Sequence, residues 1–207
     1  MKDLLNFLIE VGKLKRKPRR GWQVHQFKNP ETTAEHIFRT AIASWVLGRR
    51  KNLNQERVIK LALVHDLCEV YAPDITPYDP LLPKDKAKAL EVLKKWPKFT
   101  PELKLKRYNE KYKTESVSLD KLISSLPSGL RAEVKNLWLD FEKGLTKEGR
   151  FVKQIDKAEN LLQGMEYGKK YGKIQKKLWM RWAKEILDDS TAIEFMKEIE
   201  DKFCKKC

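Results

Sequence analysis

Residues 61–77 read LALVHDLCEVYAPDITP, and no other stretch of the chain limits the possible folds as strongly. Apolar residues at helical spacing predict a buried helix from about Gln55 to Val70, stopped by the three prolines of APDITPYDP. Yet His65 and Asp66 sit inside the apolar run, and Glu69 and Asp74 follow within ten positions. A carboxylate removed from water without a partner is strongly disfavoured, so Asp66 requires a cation or several hydrogen-bond donors. Two arrangements satisfy these residues: a divalent ion ligated by both His65 and Asp66, or a buried His–Asp hydrogen bond. Either one obliges the fold to bring further polar groups up to this segment.

The rest of the chain reads as helix nearly throughout. Thr32 and Glu35 form a capping box, with Ile37, Ala41 and Trp45 at helical spacing behind it. Further helices are expected over 84–96, 129–143, 147–169, 173–188 and 190–203. The lysine- and proline-rich WPKFTPELKLKRYNEKYK lacks clear periodicity and is expected to be an exposed excursion. No alternating apolar run argues for a sheet, so the fold class is all-α, in one domain. The N-terminal MKDLLNFLIEVGKLKR is an amphipathic helix, with Leu4, Leu5, Leu8 and Val11 on one face. Asp3 and Glu10 interrupt its short apolar part and no small-residue cleavage site follows, so a signal peptide is not expected. No stretch approaches the roughly 20 apolar residues that cross a bilayer, and a cytoplasmic protein without membrane partners is expected. Three cysteines give no even disulfide framework. Cys68 falls on the apolar helix; Cys204 and Cys207 form a CxxC without the two further ligands a zinc site needs, and are expected in a solvated tail.

The chain holds only three histidines, His25, His36 and His65. His36 lies one turn into the capped helix. Asp156, in FVKQIDKAENLLQGMEY, is an acid on an otherwise apolar helix face. Two imidazoles and two carboxylates, from His36, His65, Asp66 and Asp156, neutralise a divalent ion and leave positions for water and substrate. Such a set suits Mn²⁺, Fe²⁺, Co²⁺, Ni²⁺ or Zn²⁺. Four residues beyond His65, Glu69 would share its helix face and could serve as a general acid or base; its alternative is an exposed helix-end acid. Arg20 offers a bidentate phosphate contact or is a solvated member of the KRKPRR run. Trp22 is either a core aromatic or a contact for a base or sugar. A net charge of +15, with eleven Lys or Arg against five acids over 81–115, either draws anionic ligands or marks a lysine-rich solvated exterior, and charge alone does not separate the two.

The order H…HD…D resembles the HD-domain metal-dependent phosphohydrolases, and most closely their 5′-deoxynucleotidase branch, the HD-domain-containing protein 2-like group. The resemblance is carried by LKRKPRRGW (14–22), NPETTAEHIFRTA (29–41), LALVHDLCEVYAPDITP (61–77) and FVKQIDKAENLLQGMEY (151–167). It implies an HD-type helical bundle over 1–172, with a basic insertion at about 95–116, and extra C-terminal helices over 173–207 packed on the same domain. It implies metal ligation by His36, His65, Asp66 and Asp156, catalysis by Glu69 and Asp74, and substrate binding by Arg20 and Trp22. The implied reaction is hydrolysis of (deoxy)nucleoside 5′-monophosphates with one divalent metal ion, since dinuclear relatives need more histidines. Pro73 stands where the group usually has Gly, and Ala72 where Thr or Val is frequent. A homodimer is also implied, with Trp179, Trp182, Ile186, Ile193, Phe195 and Met196 as pairing surface or as the chain's own core. The alternative is a nucleic-acid-binding HD protein that uses Lys98, Lys104, Lys106, Arg107 and Lys111 with Phe99, Tyr108 and Tyr112.

Overall fold

In the computed structural model, which describes residues 1–172 and 174–204, regular structure is helical and no β-strand occurs among the described residues; Pro18 and Thr32 form one isolated antiparallel bridge. The helices are α1 (Lys2–Val11), α2 (Arg20–Val24), α3 (Thr33–Gly48), α4 (Gln55–Val64), α5 (Lys86–Lys94), α6 (Pro101–Ile123), α7 (Ser128–Lys143), α8 (Lys147–Tyr171), α9 (Lys176–Ile186) and α10 (Ser190–Phe203). None of them is long and apolar enough to cross a membrane. The chain divides into two compact units, each made of two stretches: Met1–Glu35 with His65–Asn136, and His36–Val64 with Leu137–Cys207. Cys207 lies outside the described residues, Cys204 is half-buried, and Cys68 is a buried free thiol.

The first unit is organised around the segment after α4. The sequence predicts one helix to Val70, but α4 ends at Val64, and Leu67–Val70 forms a 3₁₀ turn after a break at His65 and Asp66. Asp66, at φ −109° and ψ 14°, has left helical geometry. The break is fixed from two sides. Ser118 of α6 accepts from the Ala72 amide (2.9 Å) and donates to the Cys68 carbonyl, while the Lys17 ammonium donates to the carbonyls of Glu69 and Ala72. These bonds satisfy backbone groups that a continuous helix would have paired internally.

The expected excursion WPKFTPELKLKRYNEKYK is irregular only up to Thr100; from Pro101 it is the first half of a 23-residue helix. Thr100 caps it by accepting from the Leu103 amide, and Pro101 occupies the first position, where its missing N–H is harmless. The second half anchors it, because Leu119, Leu122 and Ile123 are buried. The exposed first half has no apolar stripe, which is why periodicity alone missed it.

In the second unit, α8 packs against α4, α9 and α10. Phe151, Val152, Ile155, Ala158, Leu161 and Met165 of α8 are almost completely buried. The Trp179 ring of α9 lies over Gly164, where a Cβ would come within 3.0 Å of it. Trp179, Trp182, Ile186, Ile193, Phe195 and Met196 are all half-buried or buried, so the C-terminal helices turn their apolar faces inward. Exposed apolar surface lies on α3 instead, at Phe38, Ile42, Trp45 and Val46. Gly149, in the first turn of α8, has no room for a side chain: a Cβ would meet Oδ1 of Asp140 at 2.2 Å and its carbonyl oxygen at 2.7 Å. Gly149→Ala should destabilise the chain by about 1–3 kcal/mol in urea unfolding. The control is Gly129→Ala, with nothing within 4 Å of its Cβ, which should be neutral or stabilise by roughly 0.5–1 kcal/mol.

Candidate metal centre

Within the first unit, the break at residues 65–66 presents a cluster of acids. His65 Nε2 and Asp66 Oδ2 lie 3.3 Å apart, with His65 buried. Asp66 Oδ2 also accepts from Arg19 Nη1 at 2.7 Å. The same guanidinium is 3.9 Å from Glu69 Oε1 and 4.0 Å from Asp74 Oδ2. Arg19 is thus the residue that faces the acids, although the sequence singles out Arg20. The reason is local: α2 starts at Arg20, so the extended residue before it projects its side chain elsewhere. Arg20 contributes its backbone N–H to Asp74 Oδ2 (2.7 Å) and turns its guanidinium to Asp79 (2.6 Å). Nothing in KPRRGW distinguishes the two arginines without knowledge of where the helix begins.

Glu69 is buried rather than an exposed helix-end acid. Thr33 Oγ1 donates to its Oε2 at 2.9 Å. Burial, then the neighbouring Asp66 and Asp74 charges, push its pKa up to about 8, against a smaller opposing effect of Arg19. Glu69 therefore exchanges a proton near neutral pH. Trp22 is 2% exposed; its indole N–H donates to Glu31 (2.7 Å) and its ring packs on Phe27. The core reading of Trp22 is the one this placement matches. His25 stacks on Phe27, and burial pushes its pKa down to about 4, leaving it neutral.

The second unit holds the other two residues of the expected set. His36, in the first turn of α3, is fully buried, with Nε2 3.1 Å from Asp156 Oδ1 on α8. Its Nδ1 lies 2.6 Å from Glu159 Oε2. Asp156 is steadied by Lys157 Nζ at 2.7 Å and by Asn160 Nδ2 at 3.0 Å. Burial alone would raise the Glu159 pKa, yet His36 and Arg39 hold it below the usual carboxylate value. Glu159 was not singled out from sequence. Its signal was spacing: Asp156, Glu159 and Gln163 recur at i, i+3 and i+7, among the buried apolar residues Phe151, Val152, Ile155, Leu161 and Met165 of the same helix.

Both nitrogen–oxygen pairs have the chemistry of metal ligands. Two donors bound about 2.0–2.2 Å from one ion lie roughly 3 Å apart, as His36 and Asp156 do, and His65 and Asp66 nearly do. A ligating histidine is usually supported by a carboxylate on its other ring nitrogen, and His36 Nδ1 has such a partner in Glu159. The donor set of imidazole nitrogen and carboxylate oxygen fits a first-row divalent ion.

The sequence profile of the HD domain family matches residues 11–193. The 5′-deoxynucleotidase HDDC2 of Xenopus laevis is 35% identical over 177 residues, covering 84% of this chain and 75% of that protein. The 5′-deoxynucleotidase hdd1 of Schizosaccharomyces pombe is 32% identical, covering 89% and 82%. Among solved structures, a conserved hypothetical protein of Pyrococcus furiosus shares the fold with a TM-score of 0.67 and 22% identity, over 95% of this chain and 99% of that one.

A carboxyl group whose folded pKa of about 8 exceeds its ordinary 4.5 destabilises the fold as pH rises. Below pH 4.5 Glu69 is protonated whether folded or unfolded; between 4.5 and 8 only the folded chain must hold the proton; above 8 the fold buries its charge. Glu69→Gln should therefore melt like the parent near pH 4 and above it at pH 9. The expected gain is ~2–4 °C, about 1 kcal/mol, read by thermal denaturation in the presence of a chelator.

Proposed function

We propose that this chain, which belongs to the HD domain family, hydrolyses (deoxy)nucleoside 5′-monophosphates to nucleoside and phosphate with one divalent metal ion. The observation that carries the reading is the placement of Glu69, buried against the Thr33 hydroxyl with the Arg19 guanidinium between it and Asp66. Relatives that carry the name 5′-deoxynucleotidase, matched over most of their length, support it. His36, His65, Asp66 and Asp156 would hold the ion; their N–O separations within each unit support that assignment. Co²⁺, Mn²⁺, Fe²⁺, Ni²⁺ and Zn²⁺ all suit two imidazoles and two carboxylates.

A divalent ion held there supplies Lewis acidity, polarising a phosphoryl oxygen and making water a stronger acid. The remaining steps fall to side chains. Arg19 offers a forked guanidinium to the dianionic phosphate, on the side of the acids where negative charge would otherwise repel it. Glu69 in its ionised form takes a proton from the attacking water at Oε1, while Oε2 remains tied to Thr33. As the phosphorus–oxygen bond to the 5′ carbon breaks, the same group in its protonated form gives a proton to the departing oxygen. Asp74, held by the Arg20 amide, fixes the loop that closes this cluster and keeps Arg19 oriented. The nucleic-acid alternative receives less support. Arg107 is spent on the Phe99 ring and the Pro77 carbonyl, and Tyr108 stacks on Tyr112 rather than standing open for bases.

A homodimer is part of the same reading, but through α3 rather than the C-terminal helices. Phe38, Ile42, Trp45 and Val46 form an exposed stripe at i, i+4, i+7 and i+8, on the face opposite His36 and Ile37.

Phosphate release from a panel of nucleoside monophosphates, each with Co²⁺, Mn²⁺, Mg²⁺ and Zn²⁺, tests the activity directly. No release by protein shown to bind metal would sink it. His65→Ala should lose metal and turnover together, whereas Glu69→Gln should keep metal and lose about 10²–10⁴ in kcat. Arg19→Met should lower kcat/KM by roughly 10–100-fold, the loss of a charge-assisted hydrogen bond; Arg20→Met should change it less. Sedimentation of Phe38→Glu against the parent checks the α3 surface, with a shift from dimer to monomer expected.

A further inference from the structure

Arg39 lies one turn beyond His36 on α3, and it is engaged by α8 more fully than any surface ion pair requires. Its Nε donates to Glu159 Oε1 at 2.7 Å, its Nη1 to Glu166 at 2.6 Å, and its Nη2 to Gln163 at 2.5 Å. Those three acceptors recur at i, i+4 and i+7, so the planar guanidinium spans two turns of one α8 face. The two oxygens of Glu159 are divided: Oε1 takes Arg39 and Oε2 takes His36 Nδ1 at 2.6 Å. Glu159 is completely buried, so no water competes for either oxygen. With Oε1 held by Arg39 Nε, the carboxylate has one orientation, and in it Oε2 faces Nδ1.

We propose that Arg39 is a positioning residue for the metal centre: acting through Glu159, it sets the orientation of His36, so that Nε2 is the nitrogen offered to the ion. The proposal rests on the reading that His36 ligates metal. It separates Arg39 from a residue that merely ties α3 to α8, a role for which Glu166 alone would serve. Removing the support of a ligating histidine typically costs 10–100-fold in metal affinity. A purely structural tie would lower stability and leave affinity alone.

The test is calorimetric titration of Co²⁺ into chelator-stripped full-length protein, with melting temperature measured on the same samples. Arg39→Met and Glu159→Gln should each weaken Co²⁺ binding by roughly 10–100-fold. The double variant should bind no more weakly than Glu159→Gln alone, because Arg39 acts through that carboxylate. Glu166→Gln should lower the melting temperature at unchanged affinity. Parental affinity in Arg39→Met, additive losses in the double variant, or an equal loss in Glu166→Gln would each overturn the proposal. Should Arg39→Met fail to fold, Arg39→Lys keeps the charge but not the three-way fork, and carries the same expectation. A parent chain that binds no Co²⁺ removes the reading beneath the proposal; a parent that binds while the Arg39 variants match it removes the proposal alone.

Discussion

Carboxylates taken out of water must be given cations or donors, and the local architecture of this chain follows from how each one is supplied. Asp66 has Arg19 and His65; Glu159 has His36 and Arg39; Asp140 has Arg57 and the hydroxyl and amide of Thr146. Asp140 shows the purely structural form of the solution. Its oxygens cap the turn before α8, and its pKa is lowered although burial opposes it, because Thr146 and Arg57 favour the charge. Glu69 is the exception. It has a single neutral donor in Thr33, and Arg19 stands 3.9 Å away. An acid left so poorly compensated holds its proton to about pH 8, which is the property that proton transfer near neutrality needs.

That requirement explains why the backbone breaks where it does. A continuous helix through residues 61–70 would have consumed the local amides and carbonyls internally and fixed the acids at helical intervals. Ending α4 at Val64 frees the Glu69 and Ala72 carbonyls for Lys17, and the Ala72 amide for Ser118. The segment is then clamped by side chains from two directions rather than by its own hydrogen bonds. Ser118 belongs to the half of α6 that is buried, so the long basic helix also serves as a buttress for the acidic turn.

Much of this was legible in the sequence, for identifiable reasons. Thr32 and Glu35 form the expected reciprocal cap, with the Thr32 amide on Glu35 at 2.6 Å and the Glu35 amide on Thr32 Oγ1 at 3.3 Å. Helices such as α7 and α10 declare themselves because one face is apolar throughout. The first half of α6 does not, since its helicity derives from a cap, a proline and an apolar anchor two turns or more downstream. Arg19 and Glu159 escaped for a different reason: their roles depend on a helix start and on a rotation about α8, each of which moves a side chain to another face if misplaced by one residue. For the apolar residues of the C-terminal helices, the sequence left pairing surface and own core open, and packing decides between them.

The segment 72–74 shows what a local departure from a family pattern means once its contacts are known. Pro73 supplies no amide, so the acid that follows cannot be positioned by a turn built on that N–H. Asp74 is placed instead from outside its own loop, by the amide of Arg20 at 2.7 Å. The Arg20 side chain meanwhile reaches Asp79, whose other oxygen accepts from the Thr76 amide and hydroxyl at 2.7 and 2.8 Å. One residue therefore joins Asp74 to the rest of its loop through backbone and side chain at once. Ala72 is buried with both its amide and its carbonyl engaged, and its methyl group adds no hydroxyl to the surroundings of Asp74. Residue 72 therefore offers no side-chain hydroxyl to a ligand, and the polar groups of this segment are those of Asp74 and the loop that Arg20 holds.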